Sequence, residues 1–129
     1  MRLLLDTHIW YWSLLEPSRL TRRVRDELAS ARNENWLSPI STWEILLLVS
    51  KGRILLLEDP STWVTRATAN FREAPLTQEI ALAAHRLTFS HPDPADRFLA
   101  ATAQVLDLIL VTADLRLLGL RDIKTLANR

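Results

Sequence analysis

The run Leu108-Ile109-Leu110-Val111-Thr112 most narrows the folds open to this chain. Five consecutive apolar or β-branched residues are too few for a buried helix and show no polar alternation. They read as a strand covered on both faces, the kind found in parallel sheets. A second such run, residues 2–6 (Arg-Leu-Leu-Leu-Asp), opens the chain.

Between these runs the pattern alternates. An aromatic-rich helix is expected over 8–15. Ser18 is expected to cap a second helix, with Leu20, Val24, Leu28 and Ala31 at helical spacing on one face. Trp36-Leu37-Ser38 reads as a short strand ended by Pro39. Ser41 then opens a helix that Gly52 terminates. Asp59-Pro60 caps a helix over 60–71. A short strand is expected near Pro75, and a helix from Thr77 to about residue 88. Asp93-Pro94 caps a helix running to about 107, and a weaker strand falls at 122–126. Strands alternating with helices require right-handed crossovers, so the expected architecture is α/β, with a mostly parallel sheet covered on both faces.

The 129 residues suit one domain spanning 1–129, and the 48% hydrophobic content suffices for a core without disulfides. Cysteine is absent, which excludes thiolate metal sites and suits a reducing compartment. The apolar start is broken by Asp6 too early for a signal peptide or membrane span, so a soluble, cytoplasmic protein is expected. With only Gly52 and Gly119 present, Gly-rich phosphate loops and dinucleotide fingerprints are excluded.

In an open α/β sheet, ligands bind beyond the carboxyl ends of the strands. Asp6 ends the first strand, and Asp114 follows the strand 108–112 by two residues. Glu44 is expected in the first turn of the helix that leaves strand 36–38, which places it at the same edge. Asp96 starts a helix of about 12 residues that runs back roughly 18 Å, and the strand after it returns about 17 Å. Asp96 therefore comes level with Asp114.

Like charges about 4 Å apart repel by about 4 kcal/mol at an effective dielectric of 20. A divalent cation reverses that sign. The all-oxygen donor set suits Mg²⁺ or Mn²⁺, and one or two such ions can polarise a phosphodiester and generate hydroxide without a side-chain nucleophile. Each acid also has a simpler role. Asp6 can merely end a strand, Asp93 cap a helix, Asp96 favour the helix dipole, and Asp114 belong to a turn. Ser41-Thr42-Trp43-Glu44 matches a capping box, in which Glu44 bonds back to the Ser41 amide. Two other functions remain open: a phosphatase-like hydrolase with Asp6 as nucleophile, and a catalytically silent binding module. Asp6-Thr7-His8 lacks the second aspartate expected of haloacid dehalogenase relatives.

Leu3-Leu4-Leu5-Asp6-Thr7, Ser41-Thr42-Trp43-Glu44, Asp93-Pro94-Ala95-Asp96-Arg97-Phe98-Leu99-Ala100-Ala101-Thr102-Ala103 and Leu110-Val111-Thr112-Ala113-Asp114 together resemble the successive motifs of a PIN domain. Their order, spacing and total length are most similar to VapC toxins of the VapBC type II toxin–antitoxin systems. The resemblance covers nearly the whole chain. It implies a three-layer fold, a central mostly parallel sheet of four to five strands flanked by helices. It also implies an endoribonuclease using Mg²⁺ or Mn²⁺ held by Asp6, Glu44, Asp96 and Asp114, with Asp93 as an additional ligand in one branch. Thr7 and Thr112 match hydroxyl positions beside the site. The implied partners are structured RNA (tRNA or rRNA), a VapB-type antitoxin and a second copy of the chain. A PIN nuclease in RNA processing, without a toxin role, is the alternative within the family. Where some relatives carry a further acid, two positions after the last motif aspartate, this chain has Arg116.

Net charge is only +1, but setting four converging carboxylates aside leaves +5 elsewhere. Arg19, Arg22, Arg23, Arg25 and Arg32 form a group able to hold a polyanion, or simply a solvated helix face. Arg22, Arg23 and Arg97 are the residues assigned to RNA. His8, His85 and His91 have no zinc-ligand spacing. His91 is placed in a surface loop before the acidic helix. Trp10, Tyr11 and Trp12 suit base stacking or burial, with burial or dimer contact expected for at least two of them. Trp43 and Trp63 read as core or interface residues.

Overall fold

The computed structural model describes residues 1–88 and 93–129. His91 lies outside them. Five strands, β1 (Arg2–Leu5), β2 (Glu34–Leu37), β3 (Arg72–Glu73), β4 (Ile109–Thr112) and β5 (Lys124–Ala127), form one sheet in the order β3-β2-β1-β4-β5. Every neighbouring pair is parallel, with Leu4 opposite Trp36 on one side and Leu110 on the other.

Among the described residues, seven helices connect them: α1 (Thr7–Leu15), α2 (Arg22–Ala29), α3 (Pro39–Ser50), α4 (Pro60–Ala67), α5 (Gln78–Arg86), α6 (Pro94–Leu106) and α7 (Leu115–Leu118). Successive strand residues point to opposite faces, and here both faces are buried. Leu4 and Leu110 join the core formed with Ile80, Leu99 and Ala100 of α5 and α6. Leu3, Leu5 and Val111 join the opposite core with Trp10, Val24 and Ile45 of α1, α2 and α3. This is the expected three-layer architecture.

Two expected helix starts move. Ser18 does not cap a helix. Pro17–Arg19 make a single 3-10 turn, and α2 begins after Thr21, whose side chain accepts a hydrogen bond from the Val24 N–H. Pro17 favours that tight turn, and the Thr21 hydroxyl supplies the better-placed cap three residues before Val24. Nor does Ser41 open α3. Ser38 caps it, accepting from the Ile40 N–H, with Pro39 in the first turn. Proline at the first helical position loses no hydrogen bond, so Pro39 both ends the strand and starts the helix. Gly52, at φ 72°, follows the helix end as expected, in the left-handed region glycine adopts at little cost. The helix from Asp59-Pro60 stops at Ala67 rather than 71. The strand expected near Pro75 is β3, just before it. The short helix α7 was not anticipated. It is capped by Asp114, a residue read from sequence only as strand edge or turn.

A carboxylate cleft at the sheet edge

β1 sits at the centre of the sheet, and the chain leaves it towards β2 but returns to β4 on its other side. Such a reversal opens a crevice at the carboxyl ends of the strands. Asp6, directly after β1, is held there by its own backbone N–H, which donates to the Val111 carbonyl at 3.0 Å. Asp6, Glu44, Asp93, Asp96 and Asp114 line one cleft at this edge. All four expected ligands are thus brought together, with Asp93 beside them.

Each acid has a fixed local setting. Asp6 is 6% exposed, and its Oδ2 accepts a 2.7 Å hydrogen bond from the Thr112 hydroxyl. The same hydroxyl accepts from the Asp114 N–H at 3.0 Å, so Thr112 couples the two aspartates. Glu44 projects from the second turn of α3 and not the first, because Ser38-Pro39 starts the helix earlier than Ser41 would. Its Oε1 accepts from the Thr7 hydroxyl, which also shares a 2.8 Å hydrogen bond with Ser41 Oγ. The capping-box reading of Glu44 therefore fails. Ser41 is inside α3 and buried, and its N–H donates to the Ser38 carbonyl instead. Asp93 does cap α6, accepting from the Ala95 N–H at 2.9 Å. Asp96 is in the first turn of that helix. Asp114 Oδ1 accepts from the Arg116 N–H at 2.8 Å, and the Arg116 side chain pairs with the same carboxylate at 3.4 Å.

The electrostatics report how close the groups are. Burial pushes the Asp96 carboxyl up to about 7, helped by repulsion from Asp6, Asp93, Asp114 and Glu44. Asp6 is raised chiefly by burial, against which the Thr112 hydrogen bond works. Glu44 is raised by burial, with the Thr7 hydrogen bond opposing it and Asp93 and Asp6 adding repulsion. Among the described residues, no three such side chains stand at closed metal-ligand spacing. The donor set fits a hard divalent cation: carboxylate oxygens alone, mutually repelling, from two helices and beyond two strand ends.

The other expected site residues separate. Arg22 and Arg23 are exposed at the start of α2. Arg97 is half-buried, and its guanidinium donates to the Leu87 carbonyl at 3.0 and 3.3 Å, which ties α6 to the end of α5. Trp10 is buried against Trp63 and Phe71, whereas Trp12 lines the carboxylate cleft together with the exposed His8. Trp43 is 56% exposed, not core. It overhangs an apolar groove of about 720 Å³ between α1, α3 and the start of α6, lined by Tyr11, Ile40, Leu47, Ile54 and Phe98. Glu44 and Asp93 lie on the wall shared by groove and cleft. Ser41, expected as a helix opener, instead braces Thr7 from behind the site, and Asn128 braces Thr112 with no spacing in the sequence to mark it.

The chain matches the PIN domain family over residues 3–123. It is 36% identical over 115 residues to Ribonuclease VapC22 of Mycobacterium tuberculosis (strain ATCC 25618 / H37Rv), covering 88% of each chain. Among solved structures it resembles a chain of VapBC2 from Rickettsia felis bound to a promoter DNA fragment, with TM-score 0.74, 15% identity and 98% coverage of both chains. It also resembles a chain of FitAcB from Neisseria gonorrhoeae, with TM-score 0.70 and 22% identity over 98% of this chain and 97% of that one. At these identities the structural likeness is one of fold.

Proposed function

We infer the function from one premise: this chain belongs to the PIN domain family, as a homologue of the VapC ribonucleases. We propose that residues 1–129 act as one metal-dependent endoribonuclease domain that hydrolyses structured RNA of the tRNA or rRNA class. In this reading Asp6, Glu44, Asp96 and Asp114 hold Mg²⁺ or Mn²⁺, with Asp93 assisting. The observation that carries it is the convergence of Asp6, Glu44, Asp96 and Asp114, from four separate segments of the chain, on one cleft at the carboxyl edge of the sheet.

When bound, the cation supplies charge neutralisation at the phosphodiester and a water of lowered pKa. The chain's own residues prepare for it. Thr112 keeps one Asp6 oxygen directed and favours its charged form. Thr7, braced by Ser41, fixes the Glu44 carboxylate. The Asp96 carboxylate would hold a cation in its deprotonated form. Both hydroxyls donate to carboxylates, which leaves neither set up as a nucleophile.

The toxin role in a type II toxin–antitoxin pair is part of the same proposal. Its support is the groove under Trp43, whose apolar walls suit a helix of a VapB-type antitoxin. Structures of similar fold were solved as toxin–antitoxin complexes. A homodimer in the cytoplasm completes the reading. No helix among the described residues is long and apolar enough to cross a membrane.

The test is cleavage of bulk tRNA and rRNA by the purified chain with Mn²⁺. EDTA, Asp6→Asn and Asp96→Asn should each abolish it. Cleavage that survives both substitutions removes these residues from the chemistry, and an intact RNA with the wild-type chain removes the ribonuclease reading.

A further inference from the structure

The carboxylate cleft has a wall of the opposite character. Trp12, on α1, lines it beside Asp6 and Asp114. The Arg19 guanidinium lies over the Trp12 ring, 4.5 Å from its centroid, and the His8 ring meets the same indole at 5.8 Å and 51°. Arg19 closes the 3-10 turn between α1 and α2, a segment with little helical structure of its own.

Asn128 holds that turn in place. Its side-chain Oδ1 accepts from the Thr21 N–H at 2.7 Å, and its Nδ2 donates to the Arg19 carbonyl at 3.1 Å. Its backbone N–H donates to the Thr112 carbonyl at 2.9 Å, and the Thr112 hydroxyl is the one on Asp6. A buried amide near the chain's end thus ties Arg19 to the strand end that carries the carboxylates. The same contact seats the start of α2, so Arg22 and Arg23 follow directly.

This arrangement addresses a difficulty inherent in an acidic catalytic cleft. A polyanion is repelled by the carboxylates until cations neutralise them, so it needs a positive hold on the flank. A guanidinium held over an indole loses less freedom on binding than an unsupported side chain. The pair Arg19 makes with Glu16, at 3.3 Å between two largely solvated side chains, is a weak competitor.

We propose that Arg19 binds a phosphate of the RNA substrate at the rim of the carboxylate cleft, with Trp12 and Asn128 as its positioning residues. This rests on the ribonuclease reading and adds to it the surface by which substrate is held.

The experiment is fluorescence anisotropy of fluorescein-labelled bulk tRNA with the full chain in EDTA, over a range of salt. Arg19→Ala should weaken binding about fivefold to tenfold and lower the slope of log affinity against log salt by about one. Asn128→Ala should act in the same direction, and Arg19→Lys, which keeps the charge without the guanidinium, should fall between. Arg121→Ala is the control. It removes the same charge from an exposed position in the turn before β5, at the amino edge of the sheet, and should change neither quantity. Should Asn128→Ala fail to fold, the exposed Arg19 still decides. Wild-type affinity and slope in Arg19→Ala, or an equal loss in Arg121→Ala, overturns the proposal. A wild-type chain that cleaves RNA while Arg19→Ala cleaves it with unchanged KM would sink this inference alone. A wild-type chain that cleaves none sinks the reading beneath it.

Discussion

The Thr112 hydroxyl donates a 2.7 Å hydrogen bond to Asp6 Oδ2, joining residues 106 positions apart across the ends of β4 and β1. Neither group is exposed, so water cannot replace the bond. A buried carboxylate without a donor is costly as an anion and protonates more readily. Thr112→Val keeps the shape and removes only the donor. Its expected result is a further rise of the Asp6 carboxyl and an about 10- to 100-fold loss of Mn²⁺ affinity, in line with other groups that orient metal ligands from behind. Calorimetric titration checks this, with circular dichroism confirming the fold. Unchanged affinity would mean that Thr112 serves packing alone.

Asp96 sets a pH dependence of known sign. Its carboxyl titrates near 3.8 when unperturbed and at about 7 in the fold, so the folded chain holds the proton more tightly. The stabilisation this group contributes is complete below about 3.8 and is lost as pH rises through about 7. Asp6 and Glu44, also raised, act in the same direction. In EDTA, thermal stability should therefore fall between about pH 5 and about pH 8. Cation binding requires the deprotonated forms, so Mn²⁺ affinity should rise across the same interval, with proton release. Melting curves with and without Mn²⁺ measure both. Stability in EDTA that does not change over this range would contradict the coupling among the acids.

Much of this site was legible because strand and helix ends are where periodicity breaks. The runs 2–6 and 108–112 fix two parallel strands, and in a parallel sheet Asp6 and Asp114 must share an edge. The geometry of α6, reversing into β4, then carries Asp96 to it. What stayed hidden depends on contacts between distant segments. Ser41 fits a capping box as well as any sequence does, and only the Ser38-Pro39 start moves it inside α3 to support Thr7. Asn128 is one polar residue near a chain end, and its three hydrogen bonds exist only once β5 lies beside β4. Arg97 sits next to an expected ligand, which suggested RNA, yet its position on the helix turns it to the Leu87 carbonyl.

The Arg116 side chain reaches back to Asp114, with Nε 3.4 Å from Oδ1, so it would compete with a cation for that carboxylate. The pair is well solvated on the arginine side, and such pairs are worth about 0–1 kcal/mol. The competition it offers is correspondingly modest, a factor of up to about five in affinity. Arg116→Ala should therefore strengthen Mn²⁺ binding a few-fold without changing the fold, since the Asp114 cap of α7 uses the backbone N–H that alanine retains. Arg116→Glu should go further, because it replaces a competing cation by another oxygen donor at the same cleft. Calorimetry on the three proteins would give affinity and stoichiometry together. If Arg116→Ala binds Mn²⁺ more weakly than wild type, the guanidinium supports the ligand geometry at Asp114 instead of opposing the metal.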